Sequence, residues 1–198
     1  MFDTPEKLKL SQEPTLQTDK RRQMGFTAIE LMVVVSIVAV LAALAAPSFA
    51  PIIERLRVRQ AVEEMTATLY FARSEAIKRG GNITVIKTDL SSDCPQATSA
   101  TEWGCGWRVF VDTNNNGTQQ AGEETIQTSP VVSSVNVVNT SNSGSTRFNV
   151  DRWGQINGLG AQGFRFVPTI SGISSPNVAV LCVSSGGRIR TKAGDVAC

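Results

Sequence analysis

The sequence predicts an α+β fold, in which one long N-terminal helix packs on an antiparallel β-sheet. Three features indicate it: an apolar run over residues 31–46, apolar residues at helical spacing that continue to Gly80-Gly81, and short alternating segments beyond that point. The chain has 198 residues, of which 41% are hydrophobic and 18% are charged. This length and composition are typical of one domain with a buried core.

Histidine is absent from the sequence, and its absence excludes several classes of site. Ser-His-Asp triads, Cys-His dyads and metal sites that need imidazole all require this residue. The net charge of +2 at pH 7 does not select a partner. We therefore expect a protein that is not an enzyme.

The first segment, residues 1–25, is polar and contains the basic cluster Lys20-Arg21-Arg22 near its end. The apolar run that follows has Ser36 as its only polar member, and with residues 26–29 it is about long enough to cross a bilayer core of ~30 Å as a helix. Basic residues before a span keep that end cytoplasmic. Two ordinary alternatives are a plain single-pass anchor and a secretory signal peptide, in which Ala43-Leu44-Ala45 resembles the cleavage site.

Glu30 is explained by neither alternative. A carboxylate inside an apolar segment costs ~2.5–3.5 kcal/mol even on the most lenient insertion scale, so it needs a partner. If a new chain began at Phe26, its freed α-amino group would be a positive partner, in the same subunit or in a neighbouring subunit of an assembly. Glu30 thus favours a segment that is cleaved and then assembled.

The helix is predicted to continue well beyond the apolar run, over residues 26–79. Pro47 and Pro51 each remove a helical hydrogen bond, so we expect a kink or a loosening there. Beyond them the apolar residues form one stripe, which consists of Val58, Val62, Met65, Leu69, Ala72 and Ala76. We expect the first half of the helix in a membrane or filament core and the second half packed on another surface; a coiled-coil seam is the alternative.

That other surface is predicted to be the antiparallel β-sheet. Short runs of alternating polarity follow the helix, with Asn-Gly, Gly-Gly, Ser-Gly and Ser-Pro turn steps between them. The predicted strands are residues 83–87, 107–111, 125–132, 135–138, 147–150, 164–167, 178–183 and 188–191.

The four cysteines all lie in the distal half of the chain, and none forms a C-x-x-C pair. An even number of cysteines behind an apolar N-terminal segment favours two disulfides formed outside the cytoplasm over free buried thiols. Three pairings are possible. We favour Cys94–Cys105 and Cys182–Cys198, because each closes a short local loop.

One loop fits the D-x-[DN]-x-[DN]-G-x5-E calcium pattern, with Asp112, Asn114, Asn116 and Glu123 in the ligand positions. The segment before it has the pattern of a strand, whereas an EF-hand has a helix there. An ordinary polar hairpin is therefore the favoured interpretation. We expect no cofactor, with calcium as the alternative.

A basic row lies near the C-terminus. Alternate residues of a strand share a face, so Arg188, Arg190 and Lys192 are predicted to project together, as a phosphate backbone requires. An edge strand kept soluble by its charge is the simpler alternative. Trp153, Phe164 and Phe166 lie near further arginines in the sequence, and we expect these three rings in the core more than on a base-stacking surface.

The segment Gly25-Phe26-Thr27-Ala28-Ile29-Glu30-Leu31, after its basic leader, resembles the prepilin cleavage signature of type IV pilins and pseudopilins, although Ala28 stands where leucine is usual. The resemblance implies cleavage after Gly25 by an inner-membrane prepilin peptidase, N-methylation of Phe26, and a role for Glu30 in guiding subunits into a filament. It implies the type IV pilin fold, with residues 1–25 as the leader, 26–54 as the membrane or filament-core half of the helix, and 55–198 as a soluble periplasmic domain.

Within that superfamily, three stretches resemble the GspH/FimT group of minor pilins and pseudopilins: residues 70–76, residues 106–112 and Gly187-Arg188-Ile189-Arg190. In FimT-like proteins a Gly-Arg-x-Arg motif at this end is associated with DNA capture. The implied partners are other pilin or pseudopilin subunits, the prepilin peptidase, an inner-membrane assembly platform and DNA. We expect a minor pilin that primes or caps a type IV filament; the alternatives are a type II secretion pseudopilin and a membrane-anchored calcium-binding domain.

Overall fold

The computed structural model describes residues 25–89, 94, 99, 101–130, 134–141, 145–156 and 161–198, without the side chains of residues 45–48. One helix, α1 (Ala28–Arg79), precedes all the strands and includes Pro47 and Pro51. A 3-10 turn, Gly172–Ser174, lies between the sixth and seventh strands. The strands are β1 (Ile83–Lys87), β2 (Trp107–Val111), β3 (Thr125–Ser129), β4 (Val135–Asn139), β5 (Arg147–Val150), β6 (Gln162–Pro168), β7 (Ala179–Val183) and β8 (Ile189–Ala193).

The chain forms two compact units, Met1–Leu44 and Ala45–Cys198. In the described part of the first unit, the large apolar side chains of α1 are all exposed. Among the described residues, no single helix is long and apolar enough to cross a membrane; Ala28–Leu44 and Phe49–Arg79 meet that criterion of length and composition only as a pair. The membrane span over residues 26–54 stays a prediction.

The second unit contains the rest of α1 and two four-stranded sheets, in the orders β3-β2-β1-β5 and β4-β6-β7-β8. Every strand pair is antiparallel, which confirms the predicted α+β class. The sequence pattern indicated one sheet. The strands divide because β5 turns back to pair with β1, whereas β4 pairs with β6.

The predicted apolar stripe of α1 is the centre of the core of the second unit. Its six residues are at most 8% exposed and belong to one cluster with the inner residues of both sheets. Trp107 joins that cluster, and its indole Nε1 donates to the Thr68 hydroxyl at 2.9 Å, so its polar atom is paired inside the core. A fully buried Leu or Met contributes roughly 1.5–3 kcal/mol. The stripe therefore holds the sheets on the helix and is not a coiled-coil seam within this chain.

The helix ends as the sequence predicts, at Gly80-Gly81. Gly80 has a φ of +80°, which is the left-handed conformation of a C-terminal cap. The amide of Gly81 donates to the Ala76 carbonyl at 2.7 Å, which is the long bond of a Schellman motif. In the last turn, Arg79 bridges Glu75 and Glu124 at 2.7 and 2.9 Å, so the helix end is tied to the segment before β3.

Both predicted disulfides are present, as Cys94–Cys105 and Cys182–Cys198. No cysteine is free, so the alternative of buried thiols is wrong. The second bridge joins β7 to the last residue of the chain.

Candidate assembly and nucleic-acid-binding sites

The start of α1 is a reciprocal hydrogen-bonded cap between Thr27 and Glu30. The carboxylate Oε2 of Glu30 accepts from the Thr27 amide and from the Thr27 hydroxyl, both at 2.9 Å, and the Glu30 amide donates back to that hydroxyl at 3.3 Å. This is the capping box that the spacing Thr-x-x-Glu allows, a motif that the sequence analysis missed. Both donors are neutral, so the cap pairs the carboxylate oxygen but leaves its charge uncompensated.

Gly25 and Phe26 lie just before the cap and are open to their surroundings. The Phe26 side chain is 88% exposed. A Cβ built on Gly25 meets no atom within 4 Å, so the fold itself places no steric limit on the residue at this position. Cleavage after Gly25 and methylation of Phe26 stay predictions, and residues 1–24 of the leader lie outside the described residues.

The predicted basic row lies at an edge of the second sheet. Arg190 and Lys192 are on β8, which among the described strands pairs with β7 alone, and Arg188 comes immediately before the strand. Both arginines are exposed, and the described residues contain no acceptor for either guanidinium, whereas the Lys192 ammonium donates to the Ala197 carbonyl at 3.0 Å. Ile189 packs against the core, as the alternation predicts. The row therefore presents two unpaired guanidinium groups and one partly engaged ammonium.

The C-terminal segment, residues 194–198, fixes the strand that carries this row. It is anchored by the Cys182–Cys198 bridge and by an ion pair between Asp195 and Arg165 of β6 at 2.7 Å. A Cβ on Gly163 of β6 would overlap the Thr140 hydroxyl and would lie 3.2 Å from the Cys198 sulfur, so a residue without a side chain makes room for both. Two strands of the second sheet, β6 and β7, thus hold the segment that follows Arg190 and β8.

The three aromatic residues near the basic segments divide between core and surface. Phe164 and Phe166 on β6 are fully buried, as expected. The expectation is wrong for Trp153, whose side chain is 76% exposed. The reason is that Trp153 lies in a turn after β5, where alternation assigns no inward face.

The loop that fits the calcium pattern is closed by its own hydrogen bonds. Asp112 is fully buried, and its Oδ2 accepts from the Gly117 amide at 2.7 Å and from the Thr84 hydroxyl at 2.9 Å. Glu123 accepts from the Thr113 and Gln120 amides at 2.9 and 2.8 Å. The backbone amides of the loop thus use both carboxylates, which favours the polar hairpin.

The other two predicted calcium ligands, Asn114 and Asn116, are exposed, and their side-chain oxygens accept from amides two residues further along. Within the described part of the chain, no group of three or more Cys, Asp or Glu side chains is arranged to hold a metal ion. Calcium binding stays an untested alternative.

Arg73 contacts the start of the basic row, and the sequence alone did not indicate a role for it. It lies on α1, and its guanidinium Nη1 donates to the Gly187 carbonyl at 2.7 Å, directly before Arg188. Its Nε is buried without an acceptor among the described residues. The only sequence signal was an arginine beside the apolar stripe, a pattern that most surface helices share.

Comparison with known proteins identifies a family for this architecture. The family model described as type II transport protein GspH matches residues 61–187, which include most of the second unit. The structure is similar to a crystal structure of the type IV minor pilin FimU of Pseudomonas aeruginosa, with a TM-score of 0.53 and 20% identity over 72% of this chain and 96% of that chain. At that identity the likeness concerns the fold.

Two kinds of curated relatives are similar in sequence. Two fimbrial proteins of Pseudomonas aeruginosa are 38% identical over 101 residues, which is 50% of this chain; the match spans 65% of each of them, just under two thirds of their length. The pilin-like protein PilA1 of Thermus thermophilus is 29% identical over 173 residues, covering 84% of this chain and 89% of that protein.

Proposed function

This chain belongs to the type IV pilin-like GspH/FimT family, and from that premise we propose that it is a minor pilin that primes or caps a type IV pilus filament. Proteins of this family are structural pilins that associate with other pilin subunits and are anchored in a membrane. Our proposal adds to this the position of the subunit, at the start or at the tip of the filament.

The observation that carries this proposal is the exposed apolar surface of α1 in the first unit. Side chains such as Val33, Ile37 and Leu44 are 51%, 54% and 72% exposed. Each Å² of apolar surface left in water costs about 25 cal/mol, so a helix of this kind needs a cover. A bilayer is that cover before assembly, and the helices of neighbouring subunits replace it in the filament.

The maturation that we propose follows from the same segment. An inner-membrane prepilin peptidase removes residues 1–25 and leaves Phe26 as a methylated N-terminus. Residues 26–54 then hold the chain in the inner membrane, with residues 55–198 in the periplasm, until the assembly platform transfers it to the pilus. Glu30 guides that transfer, because its carboxylate carries an uncompensated charge that a neighbouring N-terminus is able to pair.

We also propose that the basic row of Arg188, Arg190 and Lys192 binds the phosphate backbone of DNA during uptake. The support is the pair of exposed guanidinium groups without an acceptor among the described residues, held on an edge strand. Such groups bind phosphates without reading the bases, so binding is weak and independent of sequence.

The test is the salt dependence of duplex DNA binding by the full chain in a non-ionic detergent. If three cations each neutralise one phosphate, log K falls against log salt with a slope of about −2.7. The double variant Arg188→Gln/Arg190→Gln is expected to flatten the slope to about −0.9 and to keep the wild-type Tm, because neither side chain bonds another described residue.

The control is Arg55→Gln/Arg57→Gln, which removes two exposed cations from α1 and, with Arg57, a hydrogen bond to the Ser134 hydroxyl at 2.7 Å. This variant is expected to bind as the wild type does. Equal losses from both double variants mean nonspecific attraction to a basic protein. No binding of the wild type at low salt contradicts the DNA role and favours the alternative below.

The second candidate function is a minor pseudopilin of type II secretion, which drives folded proteins through an outer-membrane channel. The observation in its favour is the family model itself, which is described as a type II transport protein and matches residues 61–187. The minor subunits of the type IV pilus and of the type II secretion system have the same fold. The genes that neighbour this one separate the two roles, since pilus genes and secretion genes normally form different clusters.

A further inference from the structure

Arg73 of α1 joins two turns of the second unit. We call residues 151–156 the tryptophan turn and residues 184–188 the glycine turn. The guanidinium of Arg73 donates to the Gly187 carbonyl at 2.7 Å, and a Cβ built on Gly154 would lie 3.2 Å from its Nε. The Ile156 amide also donates to the Ser185 carbonyl at 3.4 Å. The two turns therefore lie side by side over one arginine.

Both turns need glycine at the point of contact. Gly154 and Gly187 have φ angles of +73° and +76°, in the left-handed region that favours glycine. A Cβ on Gly187 would overlap the Arg73 guanidinium, and its distance to Arg73 Nη1 would be 2.6 Å. The glycine of the basic motif thus has a structural role here, since it lets an arginine of the helix hold the start of β8.

The backbone of the tryptophan turn is fixed, while its indole is left outside. Asp151 Oδ1 accepts from the Trp153 amide at 2.9 Å and from the Gln155 amide at 2.8 Å, and the Gly154 amide donates to the Asp151 carbonyl at 2.9 Å. The other two tryptophans, Trp103 and Trp107, are fully buried. A large ring that is 76% exposed on a turn with a hydrogen-bonded backbone offers a platform for a flat, apolar ligand surface.

The two adjacent turns also carry cationic residues. Arg152 precedes Trp153 in the tryptophan turn, and Arg188 follows Gly187 in the glycine turn. The Cα atom of each arginine therefore lies about 3.8 Å from that of its neighbour. Both side chains are exposed, and no described residue provides an acceptor for either. An exposed aromatic ring and unpaired cations on two adjacent turns are the combination that binds single-stranded nucleic acid, in which bases stack and phosphates pair with charge.

We propose that the tryptophan turn and the glycine turn form one surface for single-stranded DNA, on which Trp153 stacks against an unpaired base while Arg152 and Arg188 contact the flanking phosphates. This inference rests on the proposed DNA role of the basic row and names its preferred ligand. A continuous duplex offers its phosphates to Arg188 and Arg190 but hides the faces of its bases. Single-stranded DNA therefore gains a contact that duplex DNA does not.

The experiment compares two probes, oligothymidine and relaxed closed-circular duplex DNA, on the full chain in a non-ionic detergent. Trp153→Ala is expected to weaken oligothymidine binding about 5- to 150-fold, since base stacking is lost, and to leave duplex binding unchanged. The salt slope is expected to stay the same, because no charge is removed. Trp153→Phe keeps most of the affinity, and Arg152→Gln reduces the slope by about 0.7.

A matched control and an optical readout complete the test. Ile170→Ala removes another apolar side chain that is 87% exposed, at the turn next to the Ser171–Glu54 hydrogen bond, and is expected to change nothing. Because Trp153 is the exposed tryptophan of the three, oligothymidine is expected to quench the tryptophan fluorescence, and Trp153→Phe to abolish that quenching.

The outcomes separate this inference from the DNA role itself. If the wild type binds both probes and Trp153→Ala weakens neither, or weakens both equally, the stacking surface is wrong and the basic row alone carries binding. That result leaves Trp153 for contact with a protein. If the wild type binds neither probe at low salt, the proposed DNA role fails, and the stacking surface with it.

Discussion

At the scale of single residues, Glu30 has two physical roles that the sequence alone does not separate. Its oxygen closes a capping box with Thr27, which stabilises the start of α1. Its charge, however, finds no opposite charge among the described residues of its unit, and this is costly in an apolar segment. The cap explains why a side chain with a carbonyl oxygen is useful here. It does not explain why the residue is glutamate, which is able to carry a charge, and not glutamine.

Two substitutions separate cap from charge. Glu30→Gln keeps an acceptor for the Thr27 amide, since glutamine also closes a capping box, but removes the charge. Thr27→Val removes the hydroxyl of the cap and keeps the charge. If assembly needs the carboxylate, Glu30→Gln is expected to insert and be cleaved normally but to be depleted from isolated filaments, while Thr27→Val assembles. Normal incorporation of Glu30→Gln assigns the residue to the cap and contradicts the assembly role.

Single residues also show which positions can be predicted from sequence patterns and which cannot. Phe164 and Phe166 lie two positions apart on β6, so alternation places both in the core, and both are buried. Trp153 has no such periodic context, because the backbone of its turn is set by Asp151. Arg73 acts through a residue 114 positions away, and no local pattern carries a contact of that separation.

At the scale of elements, the strands were more predictable than their partners. The alternation over β1 and β2 gives both strands at their observed bounds. The division into two sheets depends on β5 pairing with β1, more than sixty residues earlier in the chain. The loop between β2 and β3 presents the same problem, since its residues fit both a calcium loop and a hairpin until the hydrogen bonds of Asp112 are known.

Asp112 tests that loop. Asp112→Ala removes the acceptor of the Gly117 amide, and a buried amide left without a partner costs about 1–3 kcal/mol. We expect a clear loss of Tm in thermal melting, whereas Asn114→Ala, at an exposed position of the same loop, changes Tm little. The wild type is expected to melt at the same temperature in millimolar calcium and in a chelator. Stabilisation by calcium that Asp112→Ala abolishes would support the calcium alternative instead.

At the scale of the whole molecule, the two units have different surroundings. The second unit buries its own apolar stripe under two sheets and is closed by two disulfides. The described part of the first unit buries none of its large apolar side chains. The proposed transfer from membrane to filament needs both kinds of unit, one that is folded on its own core and one whose apolar surface is covered by its surroundings. It also needs removal of the predicted leader before α1.

We therefore predict that processing at Gly25 is the decisive event for the whole chain. A Cβ at Gly25 meets nothing within 4 Å, so Gly25→Val is not expected to disturb the fold or to lower Tm. If a prepilin peptidase requires a small residue there, the variant keeps residues 1–25, while Ala28→Leu, which restores the commonest form of the signature, is cleaved. Mass spectrometry of the protein extracted from membranes measures both. A wild-type N-terminus near Ala46 would instead mean secretion by a signal peptidase, and the chain could not then reach a filament through the exposed apolar helix of its first unit.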